Sequence, residues 1–93
     1  MKIIGLEWDD SSIEKTIVKH HLNPKEVEDV CFGIHYAITV RYKRRAIYGK
    51  ADTGKYLKVI LERLHGSTYR VITAFPMNRR DRQLYREKMV RGG

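Results

Sequence analysis

The chain changes its hydrophobic period near residue 33. Before that point apolar residues recur at helical spacing. Ile13, Ile17 and His20 fall at i, i+4 and i+7 on one helix face. Ser11 and Glu14 have the spacing of a capping box, which predicts a helix start there. Asn23-Pro24-Lys25-Glu26 is a second start: a capping side chain, a proline suited to the first helical position, and a glutamate able to reach back. Val27, Val30 and Cys31 form that helix's apolar stripe, and Gly33 is its stop.

From Tyr36 the period is two. Tyr36, Ile38, Val40 and Tyr42 alternate with Ala37, Thr39, Arg41 and Lys43, as in a half-buried strand. A tight turn near Lys43-Arg44 leads into a second strand, Arg45 to Lys50. After the turn Asp52-Thr53-Gly54 a third strand runs from Lys55 to Arg63, with Leu57, Val59 and Leu61 on one face. After His65-Gly66-Ser67 a fourth runs from Thr68 to Phe75 and ends at Pro76. Strict alternation there puts Arg70, Ile72 and Ala74 on one face and Tyr69, Val71, Thr73 and Phe75 on the other. Asn78 caps a last helix, Arg79 to Val90, with Leu84, Tyr85 and Met89 inward and Arg79, Arg82 and Arg86 outward. Lys2 to Trp8 reads as a short first strand, and Gly92-Gly93 as a frayed end. The prediction is a single α+β domain over residues 1–93: a short N-terminal strand, two helices, a four-stranded antiparallel meander and a C-terminal helix. Helices cover one sheet face; the other is left for polar side chains.

Composition narrows the class. No apolar run approaches the roughly 20 residues that span a bilayer, so no membrane-spanning segment is expected. Met1 to Asp10 lacks the apolar stretch of a signal peptide. The single cysteine, Cys31, excludes an internal disulfide and reads as a small buried apolar residue; a reducing cytoplasm is the expected location. The net charge of +8 is unevenly placed. Residues 1–30 carry four lysines against seven acids, a net of −3; residues 31–93 carry fifteen Lys and Arg against four acids, a net of +11. A basic body of this kind attracts polyanions, which means nucleic acid, an anionic surface or an acidic protein; the alternative is a plain solvated surface.

Common enzyme signatures are absent, and no His or carboxylate pair has metal-ligand spacing, so neither metal nor cofactor is expected. His20 and His21 point about 100° apart on a helix and cannot share a metal. What remains is a basic and aromatic set. The meander can gather Arg45, Lys50, Arg70, Arg79 and Arg82, with Tyr42, Tyr48, Tyr69, Phe75 and Tyr85 interleaved. Guanidinium groups grip phosphates and flat rings stack on splayed-out bases, the combination that RNA recognition favours. Cleavage by 2′-OH attack needs a base, a cation for the phosphorane and an acid for the leaving oxygen. Arginine suits the middle role, and His20 suits base or acid. Tyr85 or a lysine moves protons less readily. Alternatives stay open: His20 as a packed core histidine, Arg70 as a paired or solvated strand residue, and Lys43-Arg44-Arg45 as a solvated turn.

The order of these segments resembles the BrnT branch of the RelE/ParE-like ribonuclease toxins. Leu6-Glu7-Trp8-Asp9 followed by Lys19-His20 is similar to the family's opening; Asn23 to Phe32 resembles its second helix. Arg45 to Lys50, Leu57 to Ile60, Tyr69 to Ala74 and Arg79 to Tyr85 resemble its later strands and final helix, so that the likeness spans about residues 4 to 86. It departs at His21, where the family usually has glycine, at Phe75, where it has arginine, and before Arg45, where an acid is missing. The resemblance implies a RelE-like fold and a toxin of a type II toxin–antitoxin system. That toxin would be a metal-independent endoribonuclease cutting mRNA and inhibiting translation, paired with a cognate antitoxin of ribbon-helix-helix type. It places Arg70, Arg45, Lys19, His20 and Tyr85 at the catalytic site; Lys50, Arg79 and Arg82 would steer RNA. The rival from another class is a non-catalytic RNA- or antitoxin-binding module on the same fold.

Overall fold

In a computed structural model that describes residues 1–91, the first helix is capped two residues before the predicted cap. Asp9 is the cap: its carboxylate accepts from Ser12 N at 2.8 Å, while Ser12 Oγ accepts from Asp9 N at 2.9 Å. This reciprocal box displaces the Ser11–Glu14 pairing because it satisfies two end donors at once. Helix α1, Asp10–Ile13, widens into a π-helical segment, Glu14–Lys19, closed where Leu22 N donates to Thr16 O. The cap also sets the face. Ser12 and Thr16 point inward and are fully buried, while Ile13, expected inward, is exposed. Helix α2, Pro24–Phe32, forms as its signals predict, with Asn23 and Glu26 as a capping box and Gly33 closing onto Asp29 O.

Five strands follow one order, β1-β5-β4-β3-β2, with β1 Gly5–Glu7, β2 His35–Arg41, β3 Arg44–Lys50, β4 Tyr56–His65 and β5 Thr68–Pro76. The last four are the expected antiparallel meander; β1 is shorter than predicted and lies parallel to β5 beside Thr68–Arg70. The hairpin between β2 and β3 turns on Tyr42-Lys43, and Lys43 takes a positive φ of 64°. One correction concerns β5. Its register slips between Ile60 and Leu61, which pair with Thr73 and Val71, so Ile72 is an extra residue. The bulge moves Ala74 to the buried side with Tyr69 and Val71, and aligns Thr73 and Phe75 with Arg70.

Both sheet faces carry helices, not one. Helix α2 covers a core of Val27, Val30, Cys31, Ile47, Leu57, Val59, Leu61 and Val71. Helix α3, Arg79–Arg91, packs on the opposite face over β2 and β3, where Leu84 and Tyr85 meet Tyr36, Ile38, Ala46, Tyr48, Tyr56, Ile60 and Met77. Its cap is the expected Asn78, whose side chain accepts from Asp81 N at 2.8 Å. The predicted fraying of Gly92-Gly93 lies outside the described residues. No helix among the described residues is long and apolar enough to cross a membrane.

The fit between α2 and the sheet is close at Gly49, where an added Cβ would stand 2.9 Å from Val30 Cγ1. Both residues are packed inside, so neither neighbour yields easily. Gly49→Ala should therefore lower unfolding stability by about 1–3 kcal/mol in urea denaturation. An unchanged midpoint would mean that α2 shifts freely over β3.

Candidate functional site

Alternation along β3, β4 and β5 decides which basic residues meet. Glu62 of β4 faces Arg70 of β5 and Arg44 of β3, whereas Arg45 pairs with Leu61 and so points to the other face. The structure therefore separates Arg45 from Arg70 and puts Arg44 beside it. Arg45 Nη1 donates to Arg44 O at 3.1 Å. Arg70 Nη1 donates to Asp9 Oδ2 at 2.6 Å and Nη2 to Glu62 Oε1 at 2.9 Å. Arg44 Nε stands 3.8 Å from Glu62 Oε2. Two carboxylates and two guanidinium groups thus form a formally neutral quartet at the hairpin end of the sheet.

Asp9, Glu62 and Arg70 are each stabilised in the charged form. The Asp9 carboxyl is held below its usual range first by the Ser12 backbone N–H and then by Arg70. Glu62 is held down mainly by its hydrogen bond from Arg70, and Arg70 is raised by Glu62 and Asp9 together. These three are ionised at neutral pH. In the sequence Asp9 stood out only as the end of the Leu6–Asp9 stretch, with the cap expected at Ser11, and Glu62 and Arg44 join it only once register is known.

The other sequence-predicted residues fall elsewhere on the Arg70 face. His20 reaches Phe75, with ring centroids 5.8 Å apart. Phe75 pairs with Lys58, four residues along β4 from Glu62, so His20 lies roughly 13 Å along the strand from the Arg70 quartet. Lys58 Nζ sits over the Tyr48 and Phe75 rings at 5.3 and 5.9 Å and 3.7 Å from Asp81. Lys19 is exposed at the end of the π-helical segment.

Lys50, Arg82 and Tyr85 gather with Tyr56, which the sequence reading did not single out. Arg82 lies 4.5 Å and Lys50 5.6 Å from the Tyr56 ring, and Tyr85 meets that ring edge-on. Burial pushes the Tyr85 phenol up, which keeps it protonated. Beside them a groove of about 530 Å³ is lined by Met77, Arg79, Arg82, Gln83 and Arg86, with no carboxylate among them. The cationic surplus therefore lies at α3, not at Arg70.

A hollow of about 470 Å³ on the other side, near α2, has no surplus of cations for a polyanion: Lys25 and Lys55 stand against three carboxylates. Glu26, Asp29 and Asp52 are among its lining residues. Glu26 is already engaged by Thr53 Oγ1 at 2.6 Å, Asn23 N at 3.0 Å and Lys55 Nζ at 3.3 Å, so this network ties α2 to the β3–β4 turn. No three His, Cys, Asp or Glu side chains converge as metal ligands among the described residues. Cys31 is buried, and its thiol is pushed up to about 12, away from thiolate chemistry.

No family model matches the chain, and no curated protein matches it. Among solved structures it is similar to the crystal structure of the Brucella abortus ribonuclease toxin BrnT. The TM-score is 0.63 and the identity 21%, with 85% of this chain and 99% of that chain covered. The likeness shows a BrnT-like α+β fold.

The quartet makes a pH prediction. Carboxylates whose folded pKa is depressed stabilise the fold above their unfolded values, and that contribution disappears as pH falls through the folded values. Arg70→Ala should be less stable than wild type at neutral pH, and the gap should close as pH drops below about 4 in urea titrations. A gap independent of pH would mean that these pairs add nothing to stability.

Proposed function

We propose that this chain is a toxin of ribonuclease type that binds single-stranded mRNA on the α3 side of its sheet. The observation that carries this reading is the groove of Arg79, Arg82 and Arg86 beside Tyr56, Lys50 and Tyr85. It combines cations for phosphates with rings for bases, as single-strand binders do. The shared fold with a ribonuclease toxin supports the class.

For cleavage, the quartet supplies the parts that can act together. Arg70 is fixed by two carboxylates, so little freedom is lost when a phosphate arrives, and its remaining N–H groups can stabilise a phosphorane. Arg44, not Arg45, is its neighbour in this role. In the proposed step the ribose 2′-OH gives its proton to Glu62 and its oxygen attacks phosphorus. The P–O5′ bond breaks, and the leaving oxygen takes a proton from an acid or water. The products are a 2′,3′-cyclic phosphate and a 5′-hydroxyl. His20 and Lys58, beside Phe75, would hold a neighbouring part of the strand rather than the same phosphate.

The proposed biology is that of a type II system. mRNA cleavage in the cytoplasm would stop translation, and an antitoxin of ribbon-helix-helix type would silence the toxin. An acidic segment laid over the α3 groove would occlude RNA, and charge complementarity would speed its capture. One observation favours a second reading. Arg70 is already satisfied by Asp9 and Glu62, which suits a non-catalytic binding module.

A cleavage assay separates the two readings. Purified protein should cut single-stranded RNA in the presence of EDTA and leave cyclic-phosphate ends. Glu62→Gln and Arg70→Lys should each slow cutting about 100-fold or more. Affinity should fall with salt at about −0.7 in log–log slope per phosphate held, and Arg79→Ala with Arg86→Ala should flatten that slope by one to two contacts' worth. Salt-dependent binding without cutting would establish the binding module instead; a flat salt response would remove RNA as partner.

A further inference from the structure

Two rings and two guanidinium groups converge where β4 begins under α3. The Tyr56 and Tyr85 rings meet with centroids 6.0 Å apart and planes 69° apart. A cleft of about 130 Å³ opens among Tyr56, Arg82, Tyr85 and Arg86. Arg82 and Arg86 also line the larger groove with Met77, Arg79 and Gln83, so the two openings share a wall. A cavity of about 150 Å³ holds one benzene ring, which sets the scale: the small cleft suits one flat ring and the groove suits a chain.

We propose that the cleft is a nucleobase slot, in which one unstacked base of single-stranded RNA lies against Tyr56 while its phosphate rests on Arg79, Arg82 and Arg86. This rests on the RNA-binding reading above and adds where one base goes. The Arg82 guanidinium, a flat plane 4.5 Å from the Tyr56 centroid, occupies the position a base would take. Arg82 is exposed and free to swing outward. Exchange replaces an exposed cation–π contact by the stronger stacking of a base, and releases a guanidinium to grip the phosphate.

The surroundings fit this occupant. Among the described residues no carboxylate lines either opening; of the two acids of α3, Asp81 is directed to Lys58 at 3.7 Å and Glu87 lines neither opening. The Tyr85 phenol stays neutral beside the phosphate because burial holds its proton. Gln83 places a neutral amide, both donor and acceptor, among the groove's arginines, where it can hydrogen-bond the strand beside the slot. A paired base within a duplex cannot enter, so the slot selects single strands.

The test uses the wild-type protein and a short single-stranded RNA carrying 2-aminopurine, or an abasic residue, at each position in turn. Stacking on Tyr56 should quench 2-aminopurine at one position. An abasic residue at that position should weaken binding roughly 5- to 100-fold, the range for one stacked base, with much smaller effects elsewhere. Tyr56→Phe should retain the quench, and Tyr56→Leu should lose it while the salt dependence of binding persists. Salt-dependent binding that is indifferent to abasic residues at every position overturns the slot and leaves the RNA-binding reading standing. Absence of RNA binding, with or without capture of an acidic peptide, overturns both.

Discussion

Side chains of a β-strand alternate between two faces, and in this chain that alternation along β3, β4 and β5 partitions the molecule. Ile47, Leu57, Val59, Leu61, Val71 and Ala74 go to one side and build the core under α2. Arg44, Lys50, Lys58, Glu62, Arg70 and Phe75 go to the other. The second face is closed by the rings of Tyr36, Tyr48, Tyr56 and Tyr85 with Ala46, Ile60, Met77 and Leu84, and basic side chains lie over several of those rings. The material that completes the fold there is thus the material that suits RNA.

Charge on that face is sorted. At the hairpin end Arg70 and Arg44 are balanced by Asp9 and Glu62. Midway Lys58 has Asp81. Toward α3, Lys50, Arg79, Arg82 and Arg86 surround Tyr56 and the adjoining groove, whose lining holds no carboxylate among the described residues. In the proposed function the two ends divide the work. The unbalanced end draws and orients the strand, and the balanced end offers a rigid guanidinium with an ionised carboxylate beside it. Rigidity there comes from tying the cap of α1 to the centre of the sheet through one side chain.

Much of this was legible in the sequence. Asn23-Pro24 and Glu26 announced α2, the period-two runs announced the meander, and Asn78 announced α3. Three features were not legible, each for a local reason. Asp9 with Ser12 outcompeted Ser11 with Glu14, because two reciprocal bonds fix a helix end whatever apolar periodicity follows. The extra residue Ile72 reversed the parity of the end of β5 and brought Phe75 to the face of Arg70. The two-residue turn at Tyr42-Lys43 set β3 so that Arg44, not Arg45, faces Glu62. In each case a shift of one or two residues exchanges inside for outside. The expected set of five basic residues was therefore resolved into a hairpin-end group, an α3 group and Arg45 on the far face. The role of Tyr56 was hidden for another reason: it depends on a helix that follows it by more than twenty residues.

The central claim is that RNA lies on the α3 side of the sheet. Backbone amide chemical shifts of the labelled protein, recorded while a short single-stranded RNA is titrated in, locate the contact surface directly. The account predicts that Lys50, Tyr56, Lys58 and Arg79 through Arg86 move most, that Arg44, Glu62 and Arg70 move less, and that Arg45 and α2 stay fixed. Shifts centred on α2 and the hollow around Asp29 and Asp52, with α3 unmoved, would contradict it.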